Sequence, residues 1–159
     1  MSNYPIEQRA IQARLLTQAG WITGTLHVPH LSSVLNFINN GGPFLKLTEV
    51  ALPDGTRPEF FALRRASVSL IVPAVEESEL RLNKPAGEHE RHQLCCLMEG
   101  GSLDGSLSVL KNVRVSDYLL HHSGFCVMRE CKTHDGNQIV PLVLVNTDNV
   151  VGVTEPATH

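Results

Sequence analysis

Sliding the chain against itself by 81 residues brings its two halves into register, and this internal repeat constrains the fold more than any other feature. Gly20-Trp-Ile-Thr-Gly24-Thr-Leu26-His-Val28 falls on Gly101-Ser-Leu-Asp-Gly105-Ser-Leu107-Ser-Val109. At the same offset Val34 meets Val115, Phe44 meets Phe125, Glu49 meets Glu130, and Asp54-Gly55 meets Asp135-Gly136. These are nine identities over the 37 ungapped positions 20–56, against about two for unrelated sequences at roughly 6% identity per position. A one-residue shift beyond that window pairs Val68 with Val150 and Ile71 with Val153. The chain reads as a duplication, with one unit in residues 1–76 and the other in residues 92–159. The charged stretch 77–91, with Pro85 and Gly87, reads as a solvated connector carrying a turn of helix over Glu76 to Leu82.

Both units give the same string of elements. Short apolar runs at Ala13 to Thr17 and Leu94 to Met98 are expected to be first strands. Alternation of apolar and polar residues in Thr25-Leu-His-Val28 and Ser106-Leu-Ser-Val109 marks a half-buried second strand. A helical period follows, with Ser32 or Ser33 as the cap before Val34 to Ile38, and Ser116 as the cap before Tyr118 to Leu120. Asn40-Gly41-Gly42-Pro43 stops the first helix and Ser123-Gly124 the second. Third strands follow at Phe44 to Val50 and Phe125 to Cys131. The Asp-Gly turns at 54–55 and 135–136 then reverse the chain into Phe60 to Leu63 and Leu142 to Val145. Val68 to Val72 and Val150 to Val153 close the units.

Five short strands and one short helix in about 63 residues make a sheet too small to remain open, and curling into a barrel covers its edges. A unit of that size buries only about 60% of its unfolded surface, so two copies are expected to pack together or share strands. The fold class is therefore all-β with short helices: two tandem SH3-like small barrels related by a pseudo-twofold axis. Gly-x-x-x-Gly-x-Leu-x-Val, the Leu-rich helix, Pro-Phe-Leu-x-Leu-Thr-x-Val and the closing Val-x-Leu-Ile run together resemble an uncharacterised bacterial family with Sm-like small barrels. The resemblance covers nearly all of the first unit and, more loosely, the second. It implies a fold and no chemistry. The RNA-reading motifs of Sm proteins are missing, since the matching stretch is Thr25-Leu-His-Val-Pro29 and Arg64-Arg65 runs into Ala66.

The residues that most often carry chemistry read here as structural. Cys95, Cys96, Cys126 and Cys131 lack the paired spacing of a zinc site and read as small buried hydrophobes, as free Cys does in a reducing compartment. His89-Glu-Arg-His92 is one residue short of the helical His-Glu-x-x-His ligand pattern. His121-His122 closes a helix, and His27 and His30 have no third ligand nearby in sequence. There is no nucleophile elbow, phosphate loop or dinucleotide fingerprint, so neither catalysis nor a cofactor is expected. Gly20, Gly24 and their counterparts point to a tight turn and a close strand approach.

Charge narrows the partners. Thirteen basic and 16 acidic residues give a net charge of −3, which excludes a whole-molecule field for nucleic acid or anionic membrane. Arg57, Arg64 and Arg65 form a local basic cluster in the first unit with no counterpart in the second, and are the candidate contact for RNA or an acidic partner. By count, residues 1–76 sum to +1 and residues 92–159 to −3. No apolar run approaches the roughly 20 residues needed to span a bilayer, and the first residues lack the order of a signal peptide, so a cytoplasmic protein is expected. The function expected is a non-catalytic binding or assembly module, acting through protein–protein contacts or strand-edge self-association into a homo-oligomer. The alternatives are an Sm-like RNA-binding protein and a zinc protein built on the Cys and His residues of the second unit.

Overall fold

A computed structural model of the chain describes residues 7–80, 86–99, 101–133 and 138–155. The first half contains β1 (Gln8–Thr17), β2 (Gly20–Pro29), α1 (Val34–Asn40), β3 (Phe44–Ala51), β4 (Phe60–Arg64), β5 (Val68–Pro73) and α2 (Glu77–Leu80). The second contains β6 (His89–Met98), β7 (Gly101–Leu110), α3 (Val115–His121), β8 (Phe125–Thr133), β9 (Ile139–Asn146) and β10 (Val150–Thr154). A 3-10 turn links β4 to β5 at Arg65–Ser67, and its counterpart at Thr147–Asn149 links β9 to β10. The Asp135-Gly136 turn, Pro85 and Arg81-Leu82 lie outside the described residues. The helical turn expected over Glu76 to Leu82 appears as α2, and β6 begins at His89, inside the charged 77–91 stretch.

Local chemistry explains the repeated elements. Thr17 Oγ1 accepts from the Ala19 amide at 3.1 Å and donates to the Gly20 carbonyl at 3.0 Å, which locks the β1–β2 hairpin. Gly20 sits there at φ +113, where an L side chain is strained. Further along, Glu49 in β3 and Glu130 in β8 hold φ of 52 and 50, each where the ladder to the preceding strand slips its register. The slip is a β-bulge, which bends the strand and increases its twist. Gly24 and Gly105 lie across from these bulges. A Cβ on Gly24 would stand 3.2 Å from Leu47 Cβ, and one on Gly105 only 2.7 Å from Cys131 Sγ. Ser33 caps α1 by accepting from the Asn36 amide at 3.1 Å. The cap expected at Ser116 is not there. Arg114 holds that position without a side-chain bond, because Ser116 is already the second residue of the helix and aligns with Leu35.

All ten strands form one antiparallel sheet in the order β10-β6-β7-β8-β9-β5-β1-β2-β3-β4. The all-β class with short helices holds, but the expected pair of self-closed barrels does not. Among the described residues no ladder joins β4 to β5 or β9 to β10, and the sheet stays open. The edges that closure would have covered are partly covered by the other half instead, where β5 pairs with β9 at Leu70↔Val145 and Ile71↔Leu144. The expected pseudo-twofold relation also fails. Each half repeats the order β5-β1-β2-β3-β4 in the same direction, so the seam joins unlike edges, head to tail.

The seam is a shared core. Phe125, Val127 and Leu144 of the second half are buried with Leu15, Val34, Ile38 and Ile71 of the first. In exchange Leu70 is buried among Leu94, Leu107, Met128 and Val145, with Leu16 and Trp21 packed alongside. Each such side chain contributes roughly 1.5–3 kcal/mol when fully buried, so the halves are one folding body. Polar groups complete the seam. Asn39 Nδ2 donates to the Phe125 carbonyl at 3.1 Å, while the Phe125 amide donates to Asn39 Oδ1 at 2.7 Å. Asn146 Nδ2 donates to the Val68 carbonyl at 3.0 Å, and Asn149 Nδ2 reaches the Ala66 and Val68 carbonyls at 3.0 and 3.1 Å.

Candidate functional site

The two ends of the sheet carry the same parts as the seam. Among the described residues, β4 is paired only to β3 and β10 only to β6. Carrying the seam register through the repeat offset sets Gly152 of β10 in the place of Leu70, and Val153 in that of Ile71. The same operation sets Leu63 and Ala62 of β4 in the places of Val145 and Leu144. What is covered at the seam is bare at the ends. Val151 is 66% exposed, whereas its counterpart Ser69 is buried. Phe60 is 57% exposed and replaces the half-buried Leu142. Phe44, 41% exposed, is the counterpart of the buried Phe125. Leu120 is 78% exposed and takes the place of Asn39, the seam's amide clasp. Each end thus presents unpaired backbone beside bare apolar side chains, a combination that invites strand addition.

The three arginines of the basic cluster have different surroundings. Arg57 precedes β4 and Arg64 ends it. Arg65 is engaged in the fold: its Nη1 donates to the Asn39 carbonyl at 2.6 Å and the Ile38 carbonyl at 3.4 Å, closing the C-terminal end of α1. Arg64 lies over the Phe44 ring at 4.8 Å and occupies the position of the seam residue Asn146. One of the three is thus built into the structure, one stands at an open edge, and Arg57 is exposed in a loop.

Cys96, Cys126 and Cys131 are buried in the core of the second half, and Cys95 is half-buried. Burial pushes the Cys96 thiol up to about 11 and the Cys131 thiol up to about 12, and neighbouring thiols add to both shifts. These are poor nucleophiles and poor metal ligands at neutral pH, because both roles need the thiolate. Cys95 is raised chiefly by its hydrogen bond with Asp104. The histidines scatter. His27 Nε2 bonds Thr48 Oγ1 at 2.7 Å, and His122 stacks on Tyr118 and reaches the Phe125 carbonyl at 3.2 Å. His89 bonds the Gly87 carbonyl at 3.1 Å, and His92 stands 3.9 Å from Glu155. Among the described residues no group of three or more His, Cys, Asp or Glu is placed to hold a metal ion. No helix among them is long and apolar enough to cross a membrane.

Sequence pattern alone does not single out Phe44, Phe60 and Leu120. The signal was present in the repeat itself: Phe44 aligns with Phe125, and Leu120 with Asn39, but only the strand order says which of each pair is covered. No family model, no curated protein and no solved structure matches the chain.

Proposed function

We propose that this protein is a non-catalytic assembly module, in which β10 of one copy adds to β4 of the next in the manner of the internal seam. On this reading each half is a copy of one Sm-like small-barrel unit left open at its edges, and the duplication fused two units by their natural contact. One observation supports it above the rest: the chain already contains a head-to-tail strand addition, β5 on β9, and its free edges are the second β10 and β4 of the same pair. The copy-to-copy register is then Gly152 opposite Leu63 and Val153 opposite Ala62, with Phe44 and Leu120 meeting where Phe125 and Asn39 meet inside. This contact is weaker than the seam, because Lys46 and Ala62 stand where the seam has Val127 and Leu144.

The test is native mass spectrometry of untagged protein across a concentration series. Oligomers that grow with concentration are expected. Val151→Lys, which puts a charge at the edge, is expected to return the monomer mass with an unchanged circular dichroism spectrum. A monomer at all concentrations, or oligomers indifferent to Val151→Lys and Phe60→Lys alike, would overturn the proposal. So would bound zinc or RNA mass, which supports one of the rival classes.

A further inference from the structure

The two halves also differ in a groove, and this difference stands apart from the sheet edges. In the first half α2 folds back after β5 and buries Leu80 completely, in the same core as Val34 and Ile38 of α1. Glu79 of α2 pairs with Arg9 at the start of β1 at 4.0 Å, and Arg9 Nη2 also donates to the Ser32 carbonyl. The short helix is therefore a plug between β1 and α1.

Among the described residues, the equivalent position in the second half is an open groove of about 600 Å³. Its walls are His92 and Leu94 of β6, Val115 and Leu119 of α3, and Val153 of β10. Their counterparts include Ile11, Val34, Ile38 and Ile71, which are all buried beside the plug. Ile38 is fully covered, while Leu119 is only half-buried. The rim differs in charge as well. Glu90 holds the place of Arg9, and Glu155 also lines the opening, against a single Arg114.

We infer that this groove is a docking site for a leucine-anchored helical turn of a protein partner, with a lysine or arginine immediately before the leucine. The occupant's shape is taken from the plug in the first half, and its charge from the exchange of Arg9 for Glu90, because a rim carboxylate favours a cation where Arg9 holds Glu79. The leucine supplies the anchor in the apolar pocket. Docking is compatible with strand addition, since in the first half the plug is seated while β5 is paired with β9.

The experiment supplies the occupant in cis. Residues 156–159 are replaced by the 74–80 stretch of this chain carrying Glu79→Lys, so that it follows Glu155 as the original follows Pro73. The Val151→Lys background is used, with thermal unfolding as the readout, which keeps failure of the groove separate from failure of edge assembly. The graft is expected to raise the midpoint by about 3–6 °C. Leu→Ser in the graft should erase the gain, and a graft retaining the glutamate should give less. Glu90→Arg in the protein should reverse that preference. No gain, a gain that survives Leu→Ser, or a preference untouched by Glu90→Arg would overturn the inference.

Discussion

The strand β5 and its counterpart β10 occupy the same place in their halves, yet one is interior and the other is a boundary. Val68, Ser69, Leu70 and Ile71 are all buried, whereas Val150 and Val153 are half-buried and Val151 and Gly152 exposed. The same holds for β9 against β4: Val143 to Asn146 are buried, while of the matching 61–64 only Leu63 is. What differs is whether a neighbour lies alongside, and the side chains have diverged accordingly. Seam positions carry Leu, Ile and amides that satisfy buried carbonyls, and end positions carry Gly, Arg and bare Phe or Leu.

The sharpest way to break this comparison is to remove the same ring from both sides. Phe125→Ala is expected to cost about 4 kcal/mol in urea unfolding, since it leaves a cavity in the shared core. Phe44→Ala, measured in dilute protein, is expected to cost under about 1.5 kcal/mol, because that ring is partly solvated and stacked under Arg64. Equal losses would mean that the ends are as enclosed as the seam.

A second contrast is chemical, because the first half contains no cysteine. The Cys96 and Cys131 thiols stay neutral when folded and regain an ordinary value near 9 on unfolding. Their contribution to stability is therefore complete below pH 9 and is lost as pH rises toward 11 for Cys96 and 12 for Cys131. The unfolding free energy from urea titration is expected to fall above pH 9 by about 1 kcal/mol or more per pH unit. Cys131→Val, which installs the residue found at position 50, should flatten that decline. An unchanged alkaline slope in the variant would place the loss elsewhere.

The smallest effect tests where the halves agree. Glu49 and Glu130 both pay for a left-handed backbone at their bulges, so Gly at either site relieves strain while adding freedom to the unfolded chain. Each substitution is expected to change stability by about 0.5 kcal/mol or less, with the same sign and size at both. Opposite signs in urea unfolding would show that the bulges have ceased to be equivalent.

Much of this was legible in the residues. The matched Gly24 and Gly105 mark the close strand approach, and the Asn-Gly-Gly-Pro stop ends α1 where it was expected; the bulge at Glu49 and Glu130 shows only in the backbone. Cys96, Cys126 and Cys131 lie in the core, as their aliphatic counterparts Leu15, Leu45 and Val50 imply, and Cys95, the counterpart of Arg14, is half-buried. Barrel closure is the expectation that fails, because the edges are covered by a distant segment: β9 and β5 meet across about 75 residues of sequence, and no periodicity reports such a pairing. A hint was available in β5 and the end of β9, which are apolar on both faces where a half-exposed strand would alternate. The positions of Arg57, Arg64 and Arg65 were legible, but not that Arg65 closes α1 through the Ile38 and Asn39 carbonyls, because that contact joins residues some 26 positions apart.

The head-to-tail order of the sheet gives the molecule a direction, with two unlike ends. Any assembly built on those ends is then vulnerable in a way that mirror-paired dimers are not. A copy with one ruined edge still joins through its sound one and terminates the row. A minority of such copies, mixed with intact chains, would act as a dominant poison of growth.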